Sequence, residues 1–177
     1  MNLKERFPTR NQITLVFASI VFPLYSWTTY LVLDYLPSWL KSMRVGEILS
    51  INAYAYAWTL IESLFLLLFI TTMAIIVPVK WLKEHFASKG SIFVWTIYIF
   101  SFVIQINGYA IGSKLGFGLM LLVSIVISFL LISRFQKIND VVVLIADRLM
   151  VFLYLYIPIS LISVIVVIYN NFRLTSY

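Results

Sequence analysis

Five stretches of this chain are apolar for about the length of a bilayer crossing, and no other feature limits its fold as much. They run from about Ile13 to Leu33, Tyr54 to Val77, Ile92 to Ile111, Leu115 to Ser133, and Leu149 to Tyr169. The third is apolar to Asn107 and again from Tyr109 to Ile111. A membrane helix needs about 20 mainly apolar residues, because each adds only about 1.5 Å to the crossing. The expected fold is therefore all-α: a polytopic transmembrane helix bundle of about five spans, forming a single domain over residues 1–177.

Composition supports this. The chain is 62% hydrophobic and 11% charged, against roughly 45–50% and about 25% in a soluble domain. A soluble protein so apolar would lack the polar groups to cover its surface, so lipid has to cover it. The first stretch follows Lys4, Arg6 and Arg10 and so resembles a signal peptide. Its apolar run is too long and no small-residue cleavage site follows it, so a retained anchor is expected.

Direction comes from the basic residues near the span ends. With the N-terminus in the cytoplasm, three inner segments hold Lys4, Arg6 and Arg10; Lys80, Lys83 and Lys89; and Arg134, Lys137 and Arg148. The outer side holds Lys41, Arg44, Lys114 and Arg173. Nine inside against four outside orients the bundle with a cytoplasmic N-terminus and an outer C-terminus. The expected location is the plasma membrane.

Two segments between spans suggest short interfacial helices. Residues 35–50 carry Lys41, Arg44 and Glu47, with Leu36, Trp39, Leu40 and Met43 to face lipid on the outer side. On the inner side, over Lys137 to Arg148, Ile138, Val142, Ile145 and Leu149 share one face, and Asp140 and Asp147 share the opposite one. The two carboxylates are about 10 Å apart along such a helix, too far to hold one metal without other ligands. Pro23 and Pro158 fall inside spans, where each removes a backbone hydrogen bond. In the fourth span Gly116, Ser124 and Ser128, with Gly112 just ahead of it, keep one four-residue register, a candidate face for close helix packing.

Chemistry is sparse. Cysteine is absent and His85 is the single histidine. Thiolate catalysis, iron–sulfur clusters, haem held by a histidine pair and a serine triad are thereby excluded within the chain. No phosphate loop or nucleophile elbow occurs, so neither cofactor nor metal is expected. The net charge of +6 fits loops facing anionic headgroups and not nucleic acid, since no groove-reading fold is encoded. His85, among Lys80, Lys83, Glu84 and Lys89, reads as a solvated loop residue.

Glu62 is the exception. It lies in the second span about 5–8 Å from the midplane, where an acid costs roughly 2.5–3.5 kcal/mol on insertion scales. Asn52, Ala55, Tyr56, Thr59 and Ser63 form a polar and small stripe around it, and Gln105 and Asn107 of the third span reach the same outer half. Glu62, Thr59, Gln105 and Asn107 are thus a candidate intramembrane polar site, either a proton or cation site or a hydrogen-bonded packing contact.

Three functions follow. The leading one is a non-catalytic subunit or scaffold of a membrane assembly, bound to another membrane protein or to its own copies. The second is a small transporter or channel module using Glu62. The third is a lipid-handling enzyme with Glu62 or Asp34 as general base, which lacks a second acid, a nucleophile or a metal set.

Overall fold

The computed structural model describes residues 7–76, 85–107 and 114–174. Among them are five helices and no strands: α1 (Arg10–Ser42), α2 (Val45–Ile76), α3 (Phe86–Asn107), α4 (Lys114–Arg134) and α5 (Gln136–Leu174). Each expected apolar stretch maps to one helix over its described residues, Val77 and residues 108–111 lying outside them. Helices α1, α2, α3 and α5 are long and apolar enough to cross a bilayer, while the apolar part of α4, Gly118–Arg134, is shorter. The chain is an integral membrane protein of the helical type.

Local hydrogen bonds decide where these helices begin. Helix α1 opens ahead of the apolar stretch because Thr9 caps it. The Thr9 N–H donates to Gln12 Oε1 at 3.0 Å, and the Gln12 N–H donates to Thr9 Oγ1 at 3.4 Å. This reciprocal capping box satisfies two donors that the helix start would otherwise orphan. Helix α2 has half of the same device, with the Arg44 N–H donating to Glu47 Oε2 at 2.9 Å. The chain leaves helical geometry at Met43 and Arg44.

The two interfacial segments differ from expectation. Residues 35–50 are not a separate surface helix, since α1 runs through Pro37 to Ser42 and α2 starts at Val45. With 33 and 32 residues, these helices are about 50 Å and about 48 Å long, well beyond hydrocarbon about 30 Å thick. Asp34, Lys41 and Glu47 therefore ride on extensions of the spans. Residues 137–148 are likewise the first turns of α5, a helix of 39 residues. Of the face expected to lie on lipid, Val142 is buried, Ile138 and Leu149 are half-buried, and Ile145 is exposed. The buried positions are Asn139, Val142 and Ala146. Ala146 joins Leu15 and Ala87 in a core cluster, with Val143 and Met150 packed on it. Other helices pack on the side of this segment that carries Asn139, Val142 and Ala146, while Ile145 stays exposed. Helices α1 and α5 also continue through Pro23 and Pro158 as single elements.

The chain divides into two compact units, Met1–Ile20 with Leu67–Met150, and Val21–Leu66 with Val151–Tyr177. In the first unit α3 approaches α1 closely at Gly90. A Cβ on Gly90 would sit 2.8 Å from Val16 Cγ2 and 3.7 Å from Ile70 Cγ2. Val16 is fully buried, and its β-branched side chain has one strongly preferred rotamer in a helix. Small residues at such crossings are what bring membrane helices together, because lipid gives apolar side chains no reason to avoid it.

Gly90→Ala should therefore destabilise the purified protein by about 1–3 kcal/mol, the usual cost of overpacking, read as a lower melting temperature in detergent. Val16→Ala in the same chain should recover part of that loss. A Gly90→Ala protein as stable as the wild type would contradict the close approach.

Candidate functional site

Polar residues in the second unit meet across helices. Tyr25, Thr28 and Thr29 recur at three- and four-residue steps in α1, which puts them on one face. Tyr25 is buried. Its ring stacks with Tyr156 at a centroid distance of 4.7 Å and with Tyr56 at 6.0 Å, within the range of favourable aromatic pairs. The Tyr25 hydroxyl lies 2.5 Å from Ser160 Oγ. Ser160 directs its single O–H to the Tyr156 carbonyl at 2.8 Å, so Tyr25 is the donor in the pair.

Further contacts extend this pattern. The Thr28 and Thr59 hydroxyls are 2.9 Å apart, and Thr29 Oγ1 is 3.0 Å from the Tyr56 hydroxyl. Tyr54 donates to Asn171 Oδ1 at 2.8 Å, and Asn170 Nδ2 donates to Ser50 Oγ at 2.9 Å. Among the described residues, Asn52 Oδ1 is a buried side-chain oxygen that accepts no hydrogen bond. The first unit is built similarly. Ser19 donates to Ser91 at 2.8 Å, Ser88 donates to Asn139 Oδ1, and Asn139 Nδ2 donates to Asp140 Oδ1 at 3.2 Å.

The residues singled out from the sequence separate by environment. Thr59 is buried beside Thr28, and its hydroxyl also donates to the Ala55 carbonyl at 2.9 Å. Glu62, three residues on, is exposed, and its Oε1 accepts the Trp58 indole N–H at 2.7 Å. Both belong to the second unit. Gln105 is exposed on α3 and Asn107 closes that helix, both in the first unit. On α4, Ser124 and Ser128 are half-buried, and each donates one turn back, to the carbonyls of Met120 at 2.8 Å and Ser124 at 2.7 Å. Gly116 lies on the same helix, and Gly112 lies outside the described residues. Asp140 accepts Gln136 Nε2 at 3.2 Å, and Asp147 is exposed.

Two features escape the sequence reading. The first is Tyr25 as the centre of an aromatic and hydroxyl cluster; a tyrosine in mid-span with threonines three and four residues on was the available signal. The second is Lys89. It was expected in a basic loop, but it lies in the first turn of α3 and is 4% exposed. Its neighbours Ala87, Ser88, Gly90 and Ser91 are small and buried, a pattern that marks a tight helix contact more than a loop. His85 precedes α3 in the left-handed region at φ 70° and is half-buried.

Some of these bonds join different helices, as Tyr25–Ser160 and Ser19–Ser91 do, while Trp58–Glu62 and Gln136–Asp140 lie within one helix. No group of three His, Cys, Asp or Glu side chains suited to a metal occurs among the described residues. Tyr25→Phe keeps the ring stack and removes the bond to Ser160. It should lower stability by about 0.6–1.7 kcal/mol, the range for interhelical hydrogen bonds in membranes. Ser160→Ala should cost a similar amount, and the double variant less than the sum, as shared partners require. Additive losses in a denaturation series would contradict the pairing.

Set against known protein families, characterised proteins and solved structures, the chain matches none. Its assignment therefore rests on its own helices, and these make it a multi-helix integral membrane protein.

Proposed function

We propose that this chain is a non-catalytic subunit of a larger assembly in the plasma membrane, with its N-terminus in the cytoplasm. In this reading the outward face of α2 around Glu62 docks against another protein. The orientation rests on the nine-to-four distribution of basic residues. The subunit role rests on one observation: Glu62 is exposed in the middle of an apolar helix. It is 17 residues from Val45 and 14 from Ile76, or about 25 Å and about 21 Å from either end. With hydrocarbon about 30 Å thick, a place about 5–8 Å from the midplane keeps Glu62 within the apolar layer. Left in hydrocarbon it carries the insertion cost of a mid-span acid, and the Trp58 indole supplies only one donor. A neighbouring helix that presents further donors removes that cost.

The surrounding face has a shape for such a neighbour. Tyr54, Trp58, Ile61 and Phe65 recur at steps of four, three and four and are all exposed, the spacing of a helix–helix seam. Tyr25, Ser160, Thr28 and Thr59 of this unit are engaged inside it. These pairs reinforce packing.

A photoreactive phenylalanine placed at Ile61 or Phe65 should cross-link to one protein in intact membranes. The same residue at Leu161, exposed on α5, should capture lipid. Glu62→Leu should abolish the protein cross-link without lowering the melting temperature of the isolated chain. Lipid adducts alone at all three positions would overturn the proposal, as would a cross-link that survives Glu62→Leu.

A further inference from the structure

The outward face of α2 places its one acid in a particular position. Tyr54, Trp58, Ile61 and Phe65 fill the two alternating seam positions of a seven-residue repeat. Glu62 follows Ile61 directly, which sets it on the flank of that seam. In the same register Thr59 and Ser63 fall on the far side of the helix, and both are buried within the chain. Flanking positions are where neighbouring helices exchange charge. An acid on one helix meets a base on the other, and the pair sets which partner is accepted and in which register. Membrane helices mostly cross in the same left-handed geometry.

Chemistry fixes what has to stand opposite. The Trp58 indole N–H donates to Glu62 Oε1 at 2.7 Å and is the one donor to this side chain among the described residues. A carboxylate accepts about four hydrogen bonds, so Oε2 keeps its capacity for a donor from outside. Ionisable groups inside a bilayer pair with one another. A second copy of this chain does not bring the base. All 13 of its Lys and Arg residues lie outside the five apolar stretches, so a copy in the same bilayer presents none at the depth of Glu62. Two copies packed face to face along α2 would bring a second acid toward the first. A lysine or arginine in mid-span carries an insertion cost of the same kind as Glu62, and pairing offsets both.

Given that α2 docks by this face, as described above, we propose that its neighbour is a transmembrane helix of a different polypeptide. That helix carries a lysine or arginine at the depth of Glu62, and the ion pair selects the partner.

The test takes the cross-link from Ile61 to residue level in intact membranes. The adduct is digested, and its attachment site is read by tandem mass spectrometry. The site should fall in an apolar span of another protein, within about four residues, one helical turn, of a lysine or arginine. Glu62→Asp should keep the cross-link. Glu62→Gln still accepts hydrogen bonds but carries no charge, and it should lower the yield at least about tenfold, as loss of one member of a buried charge pair does. Glu62→Lys should lose the cross-link and regain it when the partner's basic residue is replaced by glutamate. A partner span without a basic residue would overturn the ion pair and leave docking by α2 standing. The same holds for an adduct on a second copy of this chain, or an undiminished yield in Glu62→Gln. Lipid adducts alone would overturn the docking itself, and the ion pair with it.

Discussion

Inside a bilayer no water is present to accept or donate a hydrogen bond, and most of this structure follows from that. Each apolar stretch is helical because only a helix satisfies its own backbone there. Side-chain hydroxyls obey the same demand in two ways. Some turn back on their own helix, as Ser124, Ser128 and Ser163 do toward carbonyls one turn earlier. Others cross to a neighbour, as Tyr25 does to Ser160 and Ser19 to Ser91. The second group gives helix association a direction that apolar side chains in lipid cannot provide, since lipid tails are as apolar as leucine.

Close approach and polar pairing depend on each other. Ser88, Gly90 and Ser91 fall on the same short stretch of α3, where Gly90 leaves room for Val16 and the two serines reach Asn139 and Ser19. A larger residue at position 90 would separate the helices whose contact the serines stabilise. In the second unit the tyrosine rings take the place of the small residues. Tyr25, Tyr56 and Tyr156 fill the space with stacked area, and the hydroxyls of Tyr25 and Tyr56 find partners at the edges. Glu62 departs from this economy: three residues from the buried Thr59, it faces outward with one indole donor.

What was legible in the sequence is what hydropathy measures. The spans were visible because transfer of 20 apolar residues outweighs any local signal. Their ends were not, because caps set them. The Thr9–Gln12 pair was present as a capping box in the sequence, but it lies outside the apolar window. The 137–148 segment meets Leu15 and Ala87 through Ala146, with Val143 and Met150 beside it, and not through the face of Ile138, Val142, Ile145 and Leu149, of which Ile145 is exposed; composition cannot tell protein-facing from lipid-facing apolar residues. Lys89 was misplaced for a related reason, since a lysine reads as a boundary wherever it falls. For α2 the limit is physical. The helix is apolar nearly all round, so no periodicity says which face meets protein, and the outward aim of Glu62 could not be read before the fold was known.

The subunit assignment depends most on whether the exposed face of α2 is covered by protein in the native membrane. The direct measurement is the mass of the particle released at native expression level into lipid nanodiscs formed without detergent. The account predicts a second polypeptide in fixed ratio to this 20.5 kDa chain, whether of different sequence or another copy. A particle that contains one chain and lipid alone would contradict it.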